Sequence, residues 1–130
     1  MDPTVTILFV DDEPLVRQNA AALLKAGNYR VVEAADGLDA VAKYEDYLDE
    51  IALVIMDMAM PRLGGLAAAK KIKAINYFTK IIFISGNTLQ APPEELSDGF
   101  LTKPLRGREL LATVQRVLRE KKVQGPHPEA

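Results

Sequence analysis

Residues 53–61 read LVIMDMAMP, an apolar run that holds one carboxylate, Asp57, and then stops at Pro61. The run begins at Ile51 and shows no polar alternation, the pattern of a short strand covered on both faces. Burying a lone ionised carboxylate is costly, so Asp57 has to be paired, bound to a cation or set at a solvent-facing lip. The rest of the chain decides among these.

Outward from this strand, apolar runs and helical patterns alternate. VTILFV (Val5–Val10), YRVVEA (29–34), KIIFI (Lys80–Ile84) and GFLT (Gly99–Thr102) read as four more strands. Asp12 is expected to N-cap a helix that carries Val16, Ala20, Leu23, Leu24 and Gly27 on one face. Asp36 and Gly37 open a second helix with Leu38, Val41 and Tyr44. Pro61, Gly64 and Gly65 lead into a third, over Leu66–Ile75. The last starts near Arg106 and aligns Leu110, Leu111, Val114, Val117 and Leu118. Between the fourth and fifth strands stands Pro92–Pro93; proline inside a helix costs about 3 kcal/mol, so the fourth helix is expected to be short or irregular. Such alternation predicts a three-layer α/β/α domain built on a five-stranded parallel sheet.

Ligands of open parallel sheets bind beyond the carboxyl ends of the strands. After the first strand come Asp11, Asp12 and Glu13; after the third, Asp57; after the fourth, Ser85; after the fifth, Lys103. All the polar groups of interest therefore leave the sheet at one end. Two carboxylates about 5 Å apart repel by roughly 0.8 kcal/mol in water and by about 3 kcal/mol at an effective dielectric of about 20. Such a cluster takes up protons or binds a cation. Carboxylate, carbonyl and water oxygens suit magnesium, with manganese as the alternative. With the Lys103 ammonium and the Ser85 hydroxyl, the set suits phosphoryl transfer onto Asp57.

Composition is consistent with this and removes other classes. The chain has 130 residues and a net charge of -2, so it lacks a general attraction to nucleic acid or anionic membrane. It has no cysteine, which excludes disulfides and thiolate chemistry. No segment reads as a signal peptide, and no apolar run nears the roughly 20 residues of a membrane span, so a cytoplasmic domain is expected. The only histidine, His127, lies in the polar ending VQGPHPEA, so the chain is not expected to supply a phosphoryl group from a histidine of its own.

FVDDEP, VIMDMAMPRLGG, IIFISGN and GFLTKP stand in the order, and close to the spacing, of the receiver domain of two-component response regulators. The resemblance runs from about Thr4 to Leu118. It implies a flavodoxin-like (βα)5 fold with strand order 2-1-3-4-5, over a domain spanning 1–122 with a flexible tail at 123–130. It implies that Asp57 accepts a phosphoryl group from a phosphohistidine, and that Asp12, Asp57 and the backbone carbonyl of Ala59 ligate magnesium, with Asp11 acting through water. Ser85 then matches the switch hydroxyl, Lys103 the phosphate-contacting lysine and Phe100 the aromatic that changes rotamer, and the Lys103–Pro104 peptide is expected to be cis. The implied partners are a sensor histidine kinase or a histidine phosphotransfer protein, and a downstream target protein. Nothing that resembles a DNA-binding module follows Leu118, so output is expected to act through that target, with the domain monomeric or dimerising on phosphorylation. Catalysis is confined to the domain's own phosphorylation and dephosphorylation.

Simpler readings stand beside these. Glu13 reads as a charge favouring the positive end of the first helix, Met56, Met58 and Met60 as packing, and Lys70, Lys71 and Lys73 as a solvated face. Ala59 and Asn87 depart from the side chains that tune phosphoryl lifetime in this family. A relay intermediate, or the receiver of a hybrid kinase, is the near alternative. A metal-dependent aspartyl phosphatase of the haloacid dehalogenase type is the remote one, because it needs a second aspartate where Ala59 stands. A flavin or nucleotide site fails on the three acids of DDEP, which would repel phosphate.

Overall fold

A computed structural model describes residues 4–86 and 91–120. The elements run β1 (Thr6–Val10), α1 (Pro14–Ala26), β2 (Arg30–Ala34), α2 (Gly37–Asp46), β3 (Ile51–Asp57), α3 (Gly65–Ile75), β4 (Lys80–Ser85), β5 (Gly99–Thr102) and α4 (Gly107–Arg119). All strand pairs are parallel, in the order β2-β1-β3-β4-β5. The expected flavodoxin-like order is present.

Two-residue alternation along the strands divides the core into two layers. Leu8, Val10, Val54, Met56, Ile81 and Phe83 face one way and pack with Ala40 and Tyr44 of α2 and Ala68, Ala69 and Ile72 of α3. Ile7, Phe9, Leu53, Ile55, Ile82 and Ile84 face the other way, against α1 and α4. Because both faces are covered, the strands needed no polar alternation. Their carboxyl ends are left as the place where polar side chains can gather.

The entry to α1 differs from expectation. Asp12 does not cap it; Pro14 occupies the first turn and Glu13 the cap position, with no side-chain capping bond. Proline at the first helical position fixes the start there and moves the cap one residue along. The Glu13 N–H instead donates to Asp11 Oδ1 at 2.9 Å. Gly27 lies just beyond the helix as its C-cap. The opening of α2 is as expected, with the Asp39 N–H donating to Asp36 Oδ1 at 2.8 Å.

Between β4 and β5 the described residues contain no helix. Ala91–Asp98 form one turn, closed by Leu96 N–H to Pro93 O at 3.1 Å and Ser97 N–H to Glu94 O at 3.2 Å. Pro92 and Pro93 bring no N–H donors, so a helix could not be propagated through them. Leu96 fills the core layer beside α2 and α3. Asp98 pins the turn to the sheet, donating its N–H to Ile81 O at 2.8 Å and accepting from Ile81 N–H at 2.9 Å. Asn87, His127 and the 123–130 tail lie outside the described residues.

Candidate phosphoacceptor site

Asp57 is the last residue of β3, and the loop after it is held by backbone bonds: Met58 N–H to Ile84 O at 3.0 Å and Gly65 N–H to Met58 O at 3.1 Å. Gly65 has no room for a side chain, since a Cβ there would stand 2.0 Å from Asp57 O. A second clamp draws this loop to α2. Arg62, at φ 69°, places Nε 2.9 Å from Asp36 Oδ2, and Asp36 has its pKa lowered, first by the Asp39 N–H and further by this guanidinium. Sequence reading missed the clamp, because nothing local pairs residues 26 positions apart.

Asp11, Asp12 and Asp57 converge, each offering an oxygen within 4.8 Å of the others. Asp11 is fully buried, Asp57 is 3% exposed, and Asp12 is accessible at the rim. Lys103 reaches in from the end of β5: its Nζ lies 2.9 Å from Asp11 Oδ2, 3.0 Å from Glu13 Oε1 and 3.3 Å from Asp57 Oδ2. The Asp11 contact is an ion pair without hydrogen-bond alignment, which leaves Asp11 Oδ2 buried with no hydrogen bond. A buried carboxylate oxygen in that condition fits a cation ligand. All three donors are carboxylate oxygens, hard ligands that favour magnesium or manganese over zinc.

The charges are unequally settled. Burial pushes the Asp57 carboxyl up, and the Asp11 charge pushes it further; Lys103 and the Ala59 N–H pull it down, leaving it at about 6 against an ordinary 3.8. Burial alone would lower the Lys103 ammonium, but its contacts with Asp11 and Glu13, and the charges of Asp57 and Asp11, raise it well above its usual value. Lys103 is thus a fixed cation, while Asp57 carries an incompletely compensated charge.

Ser85 closes β4 beside Asp57 and is buried; its carbonyl accepts from Lys103 N–H at 2.8 Å. Phe100 on β5 pairs with Phe83 in register and is half-buried against the α2 and α3 layer. The Lys103–Pro104 peptide is cis. Asp11, Asp12, Asp57, Ser85 and Lys103 thus share one lip, with Phe100 on β5 three residues before Lys103. Glu13, set aside in the sequence as a helix-end charge, belongs to the site through Lys103. Its position directly after the two aspartates was the available signal.

The description "Response regulator receiver domain" fits residues 7–115, and the chain belongs to that family. It is 32% identical over 119 residues to the sensor kinase CckA of Brucella abortus, covering 88% of this chain and 13% of that protein. It is 30% identical over 122 residues to the chemotaxis protein CheY of Treponema pallidum, covering 87% and 82%. Among solved structures, the response regulator TrrA of Thermotoga maritima in complex with Mg(2+)-BeF superposes with a TM-score of 0.79 at 28% identity, covering 88% of this chain and 99% of that one. Within the described residues no helix is long and apolar enough to cross a membrane.

Proposed function

We propose that this domain accepts a phosphoryl group on Asp57 from the phosphohistidine of a sensor kinase or histidine phosphotransfer protein, and thereby switches its binding to a downstream protein. The observation that carries the reading is Lys103 Nζ at 3.3 Å from Asp57 Oδ2 beside the Asp11–Asp12–Asp57 cluster. An Asp57 oxygen forms the new P–O bond as the donor's P–N bond breaks, and the electron pair leaves with the imidazole nitrogen. Lys103 holds a positive charge against the transferring oxygens, and Ser85 donates its hydroxyl to one of them. Asp11, Asp12, Asp57 and the Ala59 carbonyl are the groups that would hold magnesium, which when bound neutralises charge on the phosphoryl oxygens. The magnesium and fluoroberyllate held by the TrrA relative support this assignment.

Intact-mass measurement after treatment with acetyl phosphate and magnesium should show one labile phosphoryl adduct, absent in Asp57→Asn. An adduct that persists on another residue would reject the mechanism. Similarity to CckA favours a second reading, in which Asp57 relays its phosphoryl group onward. Transfer from phospho-Asp57 to a histidine phosphotransfer protein would distinguish relay from switch.

The output side follows from the absence of a helix among the described residues between β4 and β5. Ala91–Asp98 offer little helix to move, whereas Lys103 belongs both to the site and to a groove of about 650 Å³ lined by Pro104, Arg106, Arg108 and Glu109. Drawing Ser85 towards a phosphoryl oxygen makes room for Phe100 to turn inward, and a difference of a few kcal/mol between the two states suffices for such a shift. Adding fluoroberyllate and magnesium should move amide resonances of Gly99–Val117 most. Large changes confined to 86 and 91–98 would overturn that assignment.

A further inference from the structure

The Lys103 ammonium has three hydrogens and three carboxylate neighbours, which differ in what they can do. Asp11 is fully buried, and its Oδ1 is occupied by the Glu13 N–H. Asp57 is fixed at the end of a central strand. Glu13 has a side chain 60% exposed and lies outside the three-aspartate cluster. Any cation bound by that cluster weakens the pull of Asp11 and Asp57 on the lysine and leaves the pull of Glu13 in place. At 3.0 Å, Glu13 Oε1 is also nearer the ammonium than Asp57 Oδ2 is at 3.3 Å.

We infer that Glu13 is a positioning residue that holds Lys103 at the mouth of the site in the resting state, so that an incoming phosphoryl group must take the ammonium from it. This rests on the reading of Asp57 as phosphoacceptor. The holding contact sets part of the cost of phosphorylation, because one hydrogen of the ammonium stays engaged by Glu13 until it turns to a phosphoryl oxygen. Being exposed, the contact exchanges readily, as a residue that restrains without blocking requires.

The test separates reach from charge. Glu13→Gln removes the charge, while Glu13→Asp keeps it on a side chain one methylene shorter, which falls short of Lys103. Both should speed modification by acetyl phosphate roughly two- to fivefold, the range spanned by an exposed ion pair. In the metal-free protein, nitrogen-detected NMR of the Lys103 ammonium should show faster hydrogen exchange in both variants. Glu13→Asp keeping the wild-type rate and ammonium signal would overturn the inference, leaving only charge repulsion at the mouth. Equal rates in all three proteins would overturn it as well. If the wild-type adduct is not on Asp57, the phosphoacceptor reading fails, and the ammonium signal still decides whether Glu13 holds Lys103.

Discussion

Lys103→Ala is expected to destabilise the metal-free domain at neutral pH by about 3 kcal/mol, the cost typical of removing one partner of a buried ion pair. The change removes the cation that, among the described residues, pairs with the carboxylates of Asp11, Glu13 and Asp57, two of which are buried. Glu13 can turn to solvent; Asp11 and Asp57 cannot. A lysine whose folded pKa is raised stabilises the fold at every pH below that value, so the loss extends through the neutral range. Two additions should restore stability. Acid should do so as Asp57 takes up a proton, and magnesium should do so by replacing the missing charge. Metal binding is expected to persist in this variant while the phosphorylation response is lost. Urea unfolding in chelator, in magnesium and at pH 5 checks this. Equal losses under all three conditions would mean that Lys103 contributes packing, not charge.

The central strands β1, β3 and β4 were readable because burial on both faces wrote them as largely apolar runs. Ile51–Asp57 could be placed from composition alone, and its single acid had to lie at the lip. Once the alternation implied a parallel sheet, the residues after β1, β3, β4 and β5 had to meet at one end. Pro92–Pro93 likewise marked where regular helix would fail: a short or irregular helix was expected, and the described residues of that segment hold only a turn. Contacts that depend on long side chains crossing between loops were not readable. Glu13 and Lys103 are 90 residues apart, and their pairing depends on where α1 starts, which Pro14 sets and Asp12 does not. The Arg62–Asp36 clamp is hidden for the same reason: it joins two loops whose proximity is a property of the finished sheet.

Asp57→Asn is expected to abolish the phosphoryl adduct and, in metal-free buffer, to make the domain more stable than wild type at pH 7.5. The folded-state pKa of Asp57 is about 6 against 3.8 unfolded, so between those values the folded state binds the proton that the unfolded state releases. Stability of the wild type therefore falls as pH rises from about 4 through about 6, and above that range the full penalty remains. A shift of that size corresponds to at most about 3 kcal/mol, and the asparagine amide must still find partners, so a gain of about 1–3 kcal/mol is expected. The advantage of the variant should shrink as pH falls and vanish below about 4, where wild-type Asp57 is itself neutral. Magnesium should narrow the gap from the other side, by stabilising the wild type more than the variant. Unfolding midpoints measured from pH 3.5 to 8 in chelator give the test. A variant less stable than wild type at pH 7.5, or a gap that does not change with pH, would mean that the pull of Lys103 on Asp57 outweighs burial and the repulsion from Asp11.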